Sequence, residues 1–177
     1  PIIDCACGIG TQILPLAALG YKVEGIDLSE LAIKRAKKEA SIRGLIINFR
    51  QDDMRKLSTV PRNHYETVIA LDNALPHLES DKEIVIALKA MKERLKKGGC
   101  LLLSLRDYTQ LIKERPVFTP PKFFQDGKYR RIVHQIWDWL DNEHYIVHLY
   151  ITYENSSGWQ AHHFIGKYRA ITTGQVV

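Results

Sequence analysis

The chain has 177 residues, of which 45% are hydrophobic and 25% charged, and its 25 Lys and Arg against 20 Asp and Glu leave a net charge of +5. That length fits one domain with a sizeable core, the apolar fraction excludes disorder as the main state, and no apolar run reaches the ~18 residues that span a bilayer. Three cysteines are an odd number and too few for a disulfide scaffold, so the composition points to a cytoplasmic protein.

Ile2–Ala6 predicts a short buried strand. Gly8 and Gly10 form a turn, and Thr11–Leu19 predicts a helix closed by Gly20, with Pro15 early enough to be tolerated. Lys22–Ile26 is a second strand. Ser29 caps a helix whose apolar positions Leu31, Ala32, Ala36 and Ala40 recur at helical spacing, and Gly44 ends it. Ile46–Arg50 and Thr67–Leu71 are the third and fourth strands. Ser80 with Glu83 makes a capping box for a helix through Leu95, which Lys97-Gly98-Gly99 ends before a fifth strand at Cys100–Leu105. Strands alternating with helices predict a doubly wound α/β fold with a parallel sheet.

After Pro121 the pattern changes. Arg131–Leu140, Tyr145–Glu154 and Trp159–Tyr168 are β-branched and aromatic runs separated by turn-forming residues. They predict an antiparallel three-stranded β region, joined through an irregular link at Glu114–Lys128. The abrupt start at Pro1 and the absence of a closing helix suggest a chain truncated at both ends. The basic stretches Lys34–Arg43 and Lys89–Lys97 read as solvated helix faces rather than a nucleic-acid footprint.

Ligands on parallel sheets sit at the carboxyl ends of the strands, and here those ends gather glycines and acids. Asp4-Cys5-Ala6-Cys7-Gly8-Ile9-Gly10-Thr11 lies between the first strand and its helix. Asp27 ends the second strand, where an acidic side chain can accept both hydroxyls of a ribose. The third glycine of a dinucleotide fingerprint would fall at Ile13, so this helix start is not shaped for a pyrophosphate. Cys5 and Cys7 lack a second pair at ligand spacing, and no metal is expected. His162 and His163, adjacent in a strand, point to opposite faces. Trp137 and Trp139 share one face of a strand and are expected to cover the sheet core.

On these residues the chain resembles the class I S-adenosylmethionine-dependent methyltransferases. Asp4-Cys5-Ala6-Cys7-Gly8-Ile9-Gly10 is similar to their first motif, Gly25-Ile26-Asp27-Leu28-Ser29 to their ribose loop and Gln51-Asp52-Asp53-Met54 to their adenine loop. Leu71-Asp72-Asn73-Ala74-Leu75-Pro76-His77-Leu78 is similar to their fourth motif, and Lys97-Gly98-Gly99-Cys100-Leu101 to the turn into the fifth strand. The resemblance implies a Rossmann-like core at residues 1–113, an antiparallel β insertion on the substrate side at residues 114–177, and S-adenosylmethionine as cofactor. Its binding residues would be Asp4, Ala6, Gly8, Gly10, Asp27, Leu28, Asp53, Met54 and Leu71. Asp4 would orient the methionine amino group and Asp53 accept from the adenine amino group, with Asp52 able to exchange roles with it.

Within that class the A-C-G-x-G turn, the fourth-motif loop and Leu105-Arg106-Asp107-Tyr108 are similar to glycine and sarcosine N-methyltransferases. The resemblance implies methyl transfer to a small carboxylated amine, with Arg106 as carboxylate anchor and Asn73 facing the substrate. His77 is a candidate base and equally a structural histidine. Tyr108, Tyr129, Tyr150 and Tyr168 are candidates for the acceptor pocket. Asp107 stands where that family has asparagine, Asp72 where it has glycine, and residues 117–135 share little with it. Nucleic acid and membrane are not expected as partners. The competing readings are an RNA or protein methyltransferase and a cofactor-binding module without activity.

Overall fold

The computed structural model describes residues 1–176. The chain forms two compact units, residues 1–105 and the chain from Arg106 on.

The first unit is built on a five-stranded parallel sheet. β1 (Ile2–Asp4) is central, flanked by β2 (Val23–Asp27) and β4 (Tyr65–Ala70), with β3 (Asn48–Gln51) and β5 (Leu95–Leu103) at the edges. Asp4 pairs in register with Gly25 of β2 and with Ile69 of β4, and Asp27 with Gln51 of β3. The parallel register therefore brings the acidic strand ends to one edge of the sheet.

Local turn chemistry sets most boundaries. α1 (Ile13–Ala18) is followed by Gly20 at φ +88°, a left-handed conformation that glycine adopts without a Cβ penalty. α2 (Glu30–Ile42) starts at Ser29, whose hydroxyl accepts from the Ala32 amide at 3.2 Å. α2 buries Ile33, Ala36 and Ala40, whereas Leu31, expected on the apolar face, is 77% exposed. These residues pack with Cys7, Ile13, Leu14, Val23 and Phe49 in one cluster. α3 (Asp81–Arg94) opens with Ser80 as the expected N-cap, its Oγ accepting from the Glu83 amide at 3.3 Å, while Glu83 Oε2 reaches one residue ahead of the cap and accepts from the Glu79 amide at 2.8 Å.

The start of β5 differs from the sequence expectation. α3 stops at Arg94, and Leu95 is already extended and paired with Tyr65. The register then jumps so that Thr67 pairs with Cys100. Lys96 to Gly99 bulge out within the strand instead of ending the helix, with Gly98 at φ +80°.

The second unit carries an antiparallel sheet of four strands, in the order β6 (Lys122–Asp126), β7 (Tyr129–Trp139), β8 (His144–Asn155) and β9 (Gly158–Arg169). Three were expected. The additional β6 lies in the segment read as an irregular link, where Phe123 and Phe124 pair with Ile132 and Arg131 across a turn at Gly127. A further helix, α4 (Tyr108–Glu114), also escaped the sequence pattern. Asp107 is its N-cap and accepts from the Gln110 amide at 3.1 Å, a role that aspartate and asparagine fill equally well. A four-residue turn of helix, α5 (Thr173–Val176), follows the sheet. The core of this unit holds Tyr108, Trp137, Tyr145, Val147 and Ala170.

Among the described residues, no helix is long and apolar enough to cross a membrane, and no group of three or more His, Cys, Asp or Glu side chains is placed to hold a metal ion.

Candidate active site

At the carboxyl edge of the parallel sheet the strand ends enclose a cavity of about 560 Å³, within the range of small-molecule sites. Its lining includes Asp4, Ala6 and Gly8 after β1, Asp27 and Leu28 after β2, Asp53 and Met54 after β3, and Leu71 and His77 after β4. Of the expected residues of this unit, Gly10 and Asn73 do not line it.

Asp27 is held from two sides. Its Oδ2 accepts from the Gly8 amide and its Oδ1 from the Ser29 amide, both at 2.8 Å. Gly8 has φ +53°, and a Cβ built there would meet nothing within 4 Å, so this backbone faces open space. Gly10 serves packing instead. A Cβ there would lie 3.1 Å from Leu14 and 3.6 Å from Ala36, so its absence lets α1 approach α2. Gly25, opposite the turn, is tighter still: a Cβ would fall 2.8 Å from the Phe49 ring and 2.9 Å from Cys7 Sγ.

Asp4 is 1% exposed, and its Oδ1 accepts from the Ala6 amide at 3.0 Å. Burial pushes its carboxyl up to about 7, helped by the charge of Asp27 and opposed by the Ala6 hydrogen bond. A buried acid of this kind at a cavity wall makes Asp4 a candidate functional position. Cys5 and Cys7 are free and buried, and burial pushes both thiols up, away from nucleophile chemistry.

Asp52 and Asp53 divide clearly. Asp52 turns into its own loop, where Oδ2 accepts from the Thr59 amide and hydroxyl at 2.7 Å each. Asp53 lines the cavity and is gripped by Arg55, a residue with no expected role. Arg55 Nη2 donates to Asp53 Oδ2 at 2.7 Å, Nε reaches both carboxylate oxygens at 3.0 Å, and the Arg55 amide donates to Oδ1 at 2.9 Å. Arg55 Nη1 also pairs with Glu83 Oε1. Arg55 holds the Asp53 carboxyl below its ordinary range, and the Asp53 and Glu83 contacts raise the guanidinium.

After β4 the backbone is left-handed at two successive residues, Asp72 (φ 55°) and Asn73 (φ 65°). Aspartate and asparagine tolerate that region better than other side chains. The Asp72 amide donates to Ser104 Oγ at 2.8 Å, fixing this turn to the end of β5. Asp72 lines the cavity, while Asn73 is buried beside it in sequence.

Arg106, Tyr108 and Tyr129 belong to the second unit. The Arg106 guanidinium lies 4.9 Å from the ring centre of Trp137, which is buried and stacked on Tyr145. Tyr108 is buried, with its hydroxyl 2.7 Å from that of Tyr145. Tyr129 stands at the opposite end of β7, roughly 26 Å along the strand from Trp137. The unit therefore groups Arg106 with Tyr108 and not with Tyr129. Tyr150 stacks on His134 and His163, and Tyr168 on Tyr145.

A parallel sheet with a glycine turn after its first strand and acids at successive strand ends is the arrangement of the doubly wound α/β class, whose ligands sit at the carboxyl ends of the strands. A family described as "Methyltransferase domain" matches residues 2–99, and the chain belongs to it. A glycine/sarcosine N-methyltransferase of Parasynechococcus marenigrum is 30% identical over 112 residues, which are 63% of this chain and 40% of that protein. The chain spans about half the length of the curated relatives it matches. Among solved structures, an S-adenosylmethionine-dependent methyltransferase from Clostridium acetobutylicum superposes with a TM-score of 0.81 at 15% identity, covering 99% of this chain and 68% of that one. CalS10, a SAM-bound amino pentose methyltransferase from Micromonospora echinaspora, gives 0.77 at 18% identity, covering 98% and 70%. Both likenesses are to the Rossmann-like methyltransferase fold.

Proposed function

We propose that this chain is an S-adenosylmethionine-dependent methyltransferase acting in the cytoplasm on a small-molecule acceptor, at an amine nitrogen of a carboxylated substrate such as glycine or sarcosine. One observation carries the reading: the Asp27 carboxylate is fixed by the Gly8 and Ser29 amides at the wall of the cavity. Each oxygen then keeps a lone pair for one ribose hydroxyl. Asp4 accepts the ammonium of the methionine portion, Asp53 the adenine amino group, and Ala6, Leu28, Met54 and Leu71 supply apolar wall. The open backbone at Gly8 lets the ligand approach closely.

When bound, S-adenosylmethionine supplies a methyl group on a sulfonium, a good leaving group. A neutral acceptor amine would bring its own lone pair to that methyl group, so the transfer would ask no strong base of the chain. The chain's task is then alignment. Arg106 holds the acceptor carboxylate, since two parallel hydrogen bonds from a guanidinium fix orientation. Tyr108 accompanies Arg106 in the second unit, where Tyr129 lies too far along β7 to join them; in the first unit Asn73 is the candidate to face the acceptor and His77 the candidate to take a proton from one that arrives protonated.

The RNA reading gains little. Lys34, Arg35 and Arg43 on the basic face of α2 pair with Glu30 and Glu39 at 2.8, 2.8 and 2.5 Å. The test is transfer from methyl-labelled S-adenosylmethionine to a panel of amines led by glycine and sarcosine, with total RNA as a separate pool. Label in a carboxylated amine is expected. Label in RNA alone overturns the acceptor assignment, and binding of S-adenosylhomocysteine without any transfer identifies a non-catalytic module.

A further inference from the structure

We propose that Arg55 is a positioning residue that, braced by Glu83, aims the Asp53 carboxylate and sets the cavity's preference for a purine bearing an amino group. This rests on the reading of the cavity given above. It assigns a role to two residues that the motif pattern leaves unassigned.

The geometry is a relay anchored in a helix start. Glu83 stands in the first turn of α3, and its Oε2 is held by the Glu79 amide at 2.8 Å. Its Oε1 takes Arg55 Nη1. Arg55 then turns Nε and Nη2 onto Asp53, with Nη2 at 2.7 Å from Oδ2. Asp53 and Arg55 line the cavity and Glu83 does not. The rotamer of a cavity side chain is thereby tied to a helix 28 residues further along the chain.

The proton count gives the relay a consequence. A carboxylate offers about four lone-pair sites. Three protons already reach Asp53: the Arg55 amide, Nε, shared between the two oxygens, and Nη2. Because Nε divides its proton between both oxygens, each oxygen already has two contacts, and a further donor can enter only by displacing that shared contact, from the side Arg55 leaves open to the cavity. The guanidinium also keeps the carboxyl ionised, so Asp53 can only accept. An exocyclic amino group donates to such a site. The carbonyl of a deaminated purine meets it acceptor to acceptor, with no proton between them, and sites built to pair a donor reject ligands that lack it. Without Arg55, Asp53 can turn to water or bind a proton, and the basis for discrimination is lost.

The experiment compares S-adenosylhomocysteine with S-inosylhomocysteine, which differ only at the C6–N1 edge of the base (an amino group beside a bare N1 in one, a carbonyl beside a protonated N1 in the other), by titration calorimetry on the whole chain. The wild type is expected to favour the adenosyl ligand by about tenfold or more. Arg55→Ala should weaken the adenosyl ligand by about tenfold and change the inosyl ligand little, bringing the ratio to within about threefold. Glu83→Gln should move the ratio the same way by less, and add nothing to Arg55→Ala in the double variant. Arg55→Lys keeps the charge without the fork and should fall between. A wild-type ratio in Arg55→Ala, or equal weakening of both ligands, overturns the proposal. If Arg55→Ala does not fold, the Glu83→Gln and Arg55→Lys ratios decide in the same sense. A wild type that binds both ligands equally removes the Asp53 assignment and this inference with it. A wild type that binds neither overturns the proposed function itself.

Discussion

The Gly8 amide donates to Asp27 Oδ2 at 2.8 Å, joining the turn after β1 to the end of β2 across a sequence separation of 19. With Ser29 on the other oxygen, the carboxylate is oriented before any ligand arrives. Asp27→Asn tests this, because an amide presents one acceptor and one donor to two backbone donors. Binding of S-adenosylhomocysteine should weaken by about tenfold or more, with about 1–2 kcal/mol lost from stability. Calorimetry and a urea melt read the two quantities. Unchanged affinity removes the ribose assignment.

Asp4 predicts opposite pH trends for stability and binding. Its folded-state pKa is raised from 3.8 to about 7 by burial. Between those values the folded chain holds a proton that the unfolded chain has released, so this group's contribution to stability falls as pH rises from 4 to 7 and levels off above. Accepting a ligand ammonium requires the ionised form, so affinity should rise through the same region. Asp4→Asn should flatten both trends relative to wild type, as measured by urea melts and calorimetry at pH 5 and pH 8. Equal slopes in the two proteins contradict the assignment.

The sequence exposes what local chemistry controls. Ser29, Ser80 with Glu83, and Gly20 announce their turns through side-chain caps and backbone permissiveness, and the alternation of elements gives the parallel sheet. Long-range contacts leave no such mark. Arg55 finds Glu83 across 28 residues, and nothing beside Arg55 signals it. β6 was obscured because Phe123 and Phe124 sit between Pro121 and Gly127 in a stretch that reads as loop. Leu95 extends early because Tyr65 pairs with it, a tertiary choice that overrides the Lys97-Gly98-Gly99 stop. The first motif identifies Gly8 and Gly10 without saying that one borders the cavity and the other admits a helix.

Gly25 yields a stability prediction independent of any ligand. It is not left-handed, so alanine meets no backbone strain there. It meets the Phe49 ring at 2.8 Å and Cys7 Sγ at 2.9 Å, both buried in the first unit's core. Overpacking of this kind costs about 1–3 kcal/mol. Gly25→Ala should lose about that much in a urea melt, and combining it with Cys7→Ala should recover part of the loss. Full wild-type stability in Gly25→Ala would show that the sheet shifts to make room.

On the proposed reading, a substitution at Arg106 should separate acceptor binding from cofactor binding. Its guanidinium lies over the buried face of Trp137 at 4.9 Å, which limits the directions the side chain can take and favours a planar cation over an ammonium. In Arg106→Ala, transfer to a carboxylated amine should fall by about a hundredfold, or ~2.7 kcal/mol, while S-adenosylhomocysteine binding changes by less than about twofold. Arg106→Lys keeps a charge without the fork and should recover only a fraction of the rate. The distinguishing readout is an acceptor in which the carboxylate is replaced by a neutral amide. For that compound wild type and Arg106→Ala should turn over at similar, low rates, because the interaction that separates them is absent. A hundredfold gap that persists with the neutral acceptor would place Arg106 in support of the Trp137 packing rather than on the substrate.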